Sequence, residues 1–115
     1  MDGSHTPGTS QAGAGLVLAR EVDEAVIAAC SASFSASDTN DAEYQAILRG
    51  IKWAPLAYAW SDNDVALVQA GSLGRFIPQD MRDPLHYLAH RLANIGRLQD
   101  WDKLDRVWLP GEVWP

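Results

Sequence analysis

The sequence predicts a mixed α/β fold in which an antiparallel hairpin comes first and strands then alternate with helices, with parallel strands after the hairpin and helices flanking the sheet. Three observations carry that expectation. Apolar runs at 16–18 and 25–34 flank the polar stretch Arg20-Glu21-Val22-Asp23-Glu24, as in two strands joined by a short turn. Tyr44, Ile47, Leu48 and Ile51 recur at i, i+3, i+4 and i+7, the stripe of an amphipathic helix. Asp83-Pro84 then reads as N-cap and first residue of another helix, with Leu85, Leu88, Leu92 and Ile95 on one stripe.

Taken in order, residues 1–13 are rich in Gly, Ser, Thr and Pro and read as a loop with little core to offer, so order is expected from Ala14 onward. Leu16, Val17 and Leu18 make the first strand of the hairpin and Ala25–Phe34 the second, although the small residues at 28–33 are weak strand formers. The helix that starts near Asp41 has Asp38, Thr39 or Asn40 as its cap. Pro55 ends it, and Leu56–Trp60 is a short apolar strand. Ser61-Asp62-Asn63-Asp64 caps a helix through Val65, Leu67, Val68 and Ala70, which Gly71 and Gly74 close. Leu104–Leu109 is the last strand, before Pro110 and Gly111. The order is β-β-α-β-α-α-β, without internal repeats, in one domain over residues 1–115.

Composition bounds the function. With 115 residues, 47% hydrophobic and 21% charged, the chain suits one globular domain that needs neither disulfides nor a structural metal. Cys30 is the single cysteine, which excludes an intrachain disulfide and points to a reducing, cytoplasmic compartment. It reads as an inert core residue. No apolar stretch approaches the ~20 residues of a membrane span, and the N-terminus lacks a signal pattern. The net charge of −6 argues against a general polyanion binder. Its distribution is uneven: residues 1–48 hold seven acids against Arg20 alone, whereas residues 49–115 hold eight acids and eight bases. The question is therefore whether particular carboxylates of the acidic half converge.

Three segments share an order with a known family. Asp2-Gly3-Ser4 followed by a Gly-rich loop, then Thr39-Asn40-Asp41-Ala42-Glu43-Tyr44, then Trp60-Ser61-Asp62, together resemble type 1 ribonuclease H. Each motif alone is weak, but the ordered set is specific. The resemblance, over residues 2–112, implies a ribonuclease H-like sheet. It also implies metal-dependent endonucleolytic hydrolysis of the RNA strand of RNA/DNA hybrids, with shape and 2′-hydroxyl contacts rather than base sequence as the selector.

Hydrolysing a phosphodiester by two-metal catalysis requires two Mg²⁺ ions about 4 Å apart, one on the attacking water and one on the leaving oxygen. Mg²⁺ takes oxygen ligands and keeps waters, so a few carboxylates from different elements suffice. Asp2 on a strand, Glu43 at a helix start and Asp62 at a strand end are of that type, and the resemblance implies that these three are the catalytic metal ligands, with Mn²⁺ as a substitute ion. Their carboxylates are then expected on one face of the sheet, within about 5–7 Å of one another. Singly, each has a plainer reading: Asp2 a solvated charge near a terminus, Glu43 a complement to the helix dipole, Asp62 an N-cap. Gly3 would let a nucleic-acid backbone approach closely, and Ser4, Thr39 and Asn40 would contact it, although capping explains Thr39 and Asn40 equally well.

The chain also departs from the family. Met1 alone precedes Asp2, Thr39-Asn40 has one Asn where two are usual, and Asn63-Asp64 follows Asp62. Arg106–Glu112 looks like the last strand and its exit, with the fourth carboxylate and the C-terminal helix expected only beyond Pro115. The first strand and the C-terminal helix thus read as truncated, and weak activity with Mn²⁺ preferred is expected. A gap where the first strand belongs, to be filled by a stub from Met1–His5, a strand lent by a second copy or upstream residues, predicts that the chain alone is poorly stable or self-associates through an exposed sheet edge. The alternative function is a non-catalytic ribonuclease H-like module that binds a hybrid or a protein partner.

Other groups carry less. His86 and His90 share a helix face but lack the Glu of a metalloprotease motif and are expected on a solvated face. Gly13-Ala14-Gly15 is too short for a phosphate-binding loop and leads into a strand. Arg75, Arg82, Arg91, Arg97, Lys103 and Arg106 are the available phosphate contacts but form no patch. Trp101, Trp108 and Trp114 flank the last strand and suit packing better than base stacking.

Overall fold

The computed structural model describes residues 1–20, 22–23, 25–53 and 84–98, together with the backbone of three short strands at 60–61, 75–76 and 106–108. The elements in chain order are β1 (Asp2–His5), β2 (Gln11–Ala19), β3 (Val26–Ser35), α1 (Thr39–Trp53), β4 (Trp60–Ser61), β5 (Arg75–Phe76), α2 (Pro84–Leu98) and β6 (Arg106–Trp108). The main sheet runs β1-β2-β3-β6 with every neighbour antiparallel. Among the described residues, the parallel pairing is the two-residue ladder of β4 with β5, separate from that sheet. The expected helix through Val65–Ala70 and most of the strand Leu56–Trp60 lie outside the described residues.

The hairpin is not the first element. A strand precedes it, and residues 1–13 are not the coreless loop that their composition suggests: Asp2 pairs with Gly15 and His5 with Ala12, and Asp2 and Ala12 are both buried. Of the residues behind that expectation, Pro7 and Gly8 sit in a tight turn, whereas Gly3 and Gly13 lie within β1 and β2. Thr6-Pro7-Gly8-Thr9 closes with Thr9 N–H donating to the Thr6 carbonyl at 3.2 Å, and Gly8 has φ of 77°, the type II arrangement with proline at the second position and glycine at the third. Thr6 N–H also donates to the Gln11 carbonyl at 2.9 Å, fixing the register of the strands on either side.

The β2–β3 turn falls on the expected polar run, where Arg20 and Asp23 pair at 2.6 Å and Asp23 also accepts from the Ala25 amide. This pair is largely exposed, so it shapes the turn more than it stabilises the fold.

The register sorts the sheet into two faces. Ala12, Ala14 and Leu16 of β2 share one with Cys30, Ala32 and Phe34 of β3, and α1 covers it through Ala42 and Ala46. Ile47 is fully buried in a neighbouring cluster with Met1, Tyr44 and Ile51, a burial worth roughly 1.5–3 kcal/mol. Arg49 lies over the Phe34 ring, 4.8 Å from its centroid.

Gly13, Gly15 and Val17 share the other face with Ala29, Ser31 and Ser33, and α2 lies there. At Gly15 a Cβ would collide with the Ala89 carbonyl, and at Gly13 with the Ala93 carbonyl and the Arg97 amide. The helix backbone therefore rests directly on the strand. Ser31 Oγ donates to the Leu92 carbonyl at 2.7 Å, and Ser33 Oγ donates to the Gly96 carbonyl.

Both helices are turned relative to the stripes expected from periodicity. α1 buries Ala42, Glu43, Ala46, Ile47 and Gly50 and leaves Leu48 exposed. α2 buries Ala89, Leu92, Ala93 and Gly96. Periodicity finds the apolar side of a helix, but a sheet built from Ala, Gly and Ser admits the small side, where the backbones can approach.

Substitutions at two glycines separate close approach from backbone conformation. Gly15→Ala is expected to lower stability by about 2–3 kcal/mol or more through overpacking against α2. Gly8→Ala, where nothing lies within 4 Å of the added carbon, should lose only about 1 kcal/mol to the left-handed backbone. Urea denaturation monitored by tryptophan fluorescence measures both.

Candidate functional site

Glu43 is placed by the start of α1, and that start is set by local chemistry. Asp38 is the cap: its Oδ1 accepts from the Asp41 amide at 2.7 Å and its carbonyl from the Ala42 amide at 3.0 Å. Asp41 reaches back in turn, and its Oδ2 accepts from the Ser37 amide at 2.8 Å. Thr39 and Asn40 occupy the exposed first turn between these two carboxylates. Beside them an open groove of about 530 Å³ is lined by Ser37, Asp38, Asn40, Asp41 and Tyr44. One turn further on, Glu43 points inward, only 8% exposed, and its Oε2 accepts from the Gly3 amide of β1 at 3.2 Å. A Cβ on Gly3 would stand 2.5 Å from the Ala42 carbonyl oxygen, so the glycine is demanded by the approach of α1 to β1.

Asp2 is 2% exposed and belongs to the other layer. Its pairing partner Gly15 lies on the α2 face, and its Oδ2 is 2.8 Å from Nδ1 of His90 on α2. Asp2 thus projects from β1 toward α2, whereas Glu43 reaches the next residue of β1 from α1, so the two side chains come from different faces in place of the expected arrangement on one face. Among the described residues, Oδ1 of Asp2 takes no hydrogen bond. A carboxylate oxygen without a protein donor is available to a cation, and carboxylates are the hard oxygen donors that Mg²⁺ or Mn²⁺ prefers.

The contact between β1 and α2 continues as a row of polar pairs. Ser4 Oγ donates to Oδ1 of Asn94 at 2.8 Å, Arg97 Nη2 donates to the same oxygen at 3.3 Å, and Arg97 Nη1 donates to Thr6 Oγ1 at 3.0 Å. Asn94 Nδ2 lies 3.3 Å from His90 Nε2. Proton positions follow from Arg97, which can only donate. The Asn94 oxygen must face the guanidinium, so its NH₂ faces His90, so Nε2 of His90 accepts, and the imidazole proton sits on Nδ1 and donates to Asp2.

These positions bear differently on the sequence expectations. Asp2 and Glu43 are brought to neighbouring points of β1, whereas Asp62 lies outside the described residues. Among the described residues no group of three or more His, Cys, Asp or Glu is arranged to hold a metal ion. Ser4 has its hydroxyl committed to Asn94. His90 departs from its expected place on a solvated face: its side chain is 56% exposed, yet it makes the one bond that the buried Asp2 carboxylate receives from a described residue. Arg97, expected as a phosphate contact, is tied to Thr6 and Asn94. The missed signal is His90, Asn94 and Arg97 at i, i+4 and i+7 on one helix, matching Asp2, Ser4 and Thr6 at alternate positions of an extended segment. Cys30 is buried in the core as expected. No helix among the described residues is long and apolar enough to cross a membrane.

Fold and site thus define an α/β domain with two buried carboxylates meeting at its first strand. Residues 1–60, which include β1–β3, α1, Asp2 and Glu43, match the reverse transcriptase-like family, a ribonuclease H-like family. The chain belongs to that family. Neither the curated proteins nor the solved structures provide a match.

Hydrogen bonding at the start of α1 has a pH signature. The Ser37 amide holds the Asp41 carboxyl below its usual range against the opposing effect of burial, with help from the Gln45 amide, the Ser37 hydroxyl and the charge of His5. The folded pKa is thus lower than the unfolded one, so the contribution of Asp41 is complete above about pH 4 and is lost as pH falls through the lowered value. Urea midpoints measured from pH 7 down to 2.5 should fall more steeply at the acid end for the native chain than for Asp41→Asn.

Proposed function

We propose that the chain is a divalent-metal-dependent endonuclease of the ribonuclease H type that cuts the RNA strand of RNA/DNA hybrids. The observation that carries this reading is the buried Asp2 carboxylate, with Oδ1 open to a cation, next along β1 to the residue that holds Glu43, within the segment that matches a ribonuclease H-like family. In this reading Asp2, Glu43 and Asp62 hold the cations, Mg²⁺ or Mn²⁺. When bound, these ions supply Lewis-acid activation of water and charge stabilisation at the scissile phosphate.

The protein's own groups prepare the site. Burial of Asp2 and Glu43 between the sheet and its two helices restricts their rotamers, so the donors are ordered before a cation arrives. Thr39 and Asn40, exposed at the start of α1, provide hydroxyl and amide groups for the sugar-phosphate backbone. Asp38 and Asp41 beside them make that groove acidic, so a backbone contact at Thr39 or Asn40 gains nothing from charge attraction and rests on polar groups alone.

Incubation of the full chain with an end-labelled RNA/DNA hybrid and about 5–10 mM Mg²⁺ or Mn²⁺ should yield RNA fragments, leave the DNA strand intact and stop on chelation. Asp2→Asn, Glu43→Gln and Asp62→Asn should each reduce the rate on the order of a hundredfold or more while melting as folded proteins. Binding of the hybrid without cleavage under either metal would replace the enzyme with a binding module.

A further inference from the structure

We propose that His90 is a positioning residue for the Asp2 carboxylate: its Nδ1–H holds Oδ2 and leaves Oδ1 as the single oxygen presented to a divalent cation. This rests on the metal-dependent reading of the site and assigns a role to a helix residue outside the three carboxylates. It stands on three observations. The Nδ1 to Oδ2 distance is 2.8 Å, that of a charge-assisted hydrogen bond. Asp2 is 98% buried by the 2% exposure of the whole residue, and Oδ1 takes no hydrogen bond among the described residues. The imidazole is itself oriented from behind, because Arg97 fixes the Asn94 amide and the Asn94 amide fixes the acceptor nitrogen of His90.

The consequence is a carboxylate restricted to one-oxygen coordination. A freely rotating Asp can offer either oxygen or both, and the smaller, strictly octahedral Mg²⁺ tolerates that poorly. With Oδ2 occupied by a donor that α2 carries, only Oδ1 is offered, in a fixed direction. Groups that orient a ligand in this way typically change metal affinity by about 10–100-fold when removed.

Two measurements on the full chain test the proposal. Long-range ¹H–¹⁵N correlation spectra of the metal-free protein at about pH 8, where an ordinary imidazole is neutral, should show the His90 proton on Nδ1. A proton on Nε2 overturns the assignment whatever the variants do. Mn²⁺ affinity, read by electron paramagnetic resonance, should fall about 10–100-fold in His90→Ala. It should recover in His90→Asn, whose amide N–H occupies the place of Nδ1, but not in His90→Gln, whose amide extends to the place of Nε2. Thermal melts of all variants report folding. A purely structural role would lower the melting temperature without the Asn and Gln variants parting in Mn²⁺ affinity, and that result overturns the proposal. If the native chain binds no Mn²⁺, or Asp2→Asn binds it equally well, the metal-dependent reading falls and this inference with it. If Asp2→Asn loses the ion and His90→Ala keeps it, only the role of His90 falls.

Discussion

The α2 backbone lies against β2 with no side chain between them at Gly13 and Gly15, and the rest of the described structure is arranged around that contact. Two backbones that close exclude water from their polar groups, so carbonyls on the inner side of the helix need partners beyond the helix ladder's own geometry. Ser31 and Ser33, the cross-strand neighbours of Gly15 and Gly13, give their hydroxyls to the Leu92 and Gly96 carbonyls. Glycine on one strand makes the space and serine on the next supplies the donors. The fully buried Leu92 anchors the helix beside Ala29, Val17 and Leu88.

The position of α2 in turn decides what faces β1. The helix residues beyond the glycine contact are His90, Asn94 and Arg97, and each meets a polar group of the segment 2–6. A first strand of such polarity would contribute little to an ordinary core, since Asp and Ser are poor strand formers and costly to bury. Here Asp2 and Ser4 of β1, and Thr6 just beyond it, each take a partner from across the layer. On the opposite side α1 presses on Gly3 in a similar manner, which puts Glu43 at the Gly3 amide. The same small residues that permit two close helices thus bring Glu43 to β1 from one and His90 to it from the other.

What was legible in the sequence was local. A cap among Asp38, Thr39 and Asn40, Pro84 as a helix start, the turn at Val22-Asp23 and the burial of Cys30 follow from residues near one another in the chain. The partners of Asp2 and Ser4 are 88 and 90 positions away, and no window along the chain contains both ends of such a bond. Leu48 sits on the apolar stripe of α1 yet is 40% exposed, because hydrophobic periodicity counts apolar character and ignores volume, whereas Ala12, Ala14 and Ala32 leave room only for the Ala42 and Ala46 side of the helix. Thr6-Pro7-Gly8 reads as loop by composition because turn residues are conspicuous and the short polar strands beside them are not. Of the candidate site, Asp2 and Glu43 were legible through their ordered resemblance to a family, and His90 was not, since a histidine four residues after another most often marks a solvated helix face.

The glycine and serine contact under α2 also constrains how this protein can change over generations. Growth of a side chain at position 13 or 15 lifts the helix, and lifting it withdraws the His90 imidazole from Asp2. A substitution in the packing layer is therefore also a substitution at the carboxylate, though it touches neither partner. A larger residue at either strand position therefore needs a matching loss of volume on the helix above it for the bond from helix to first strand to be re-formed. Packing and site geometry are thereby one mechanical unit, and neither can be altered alone.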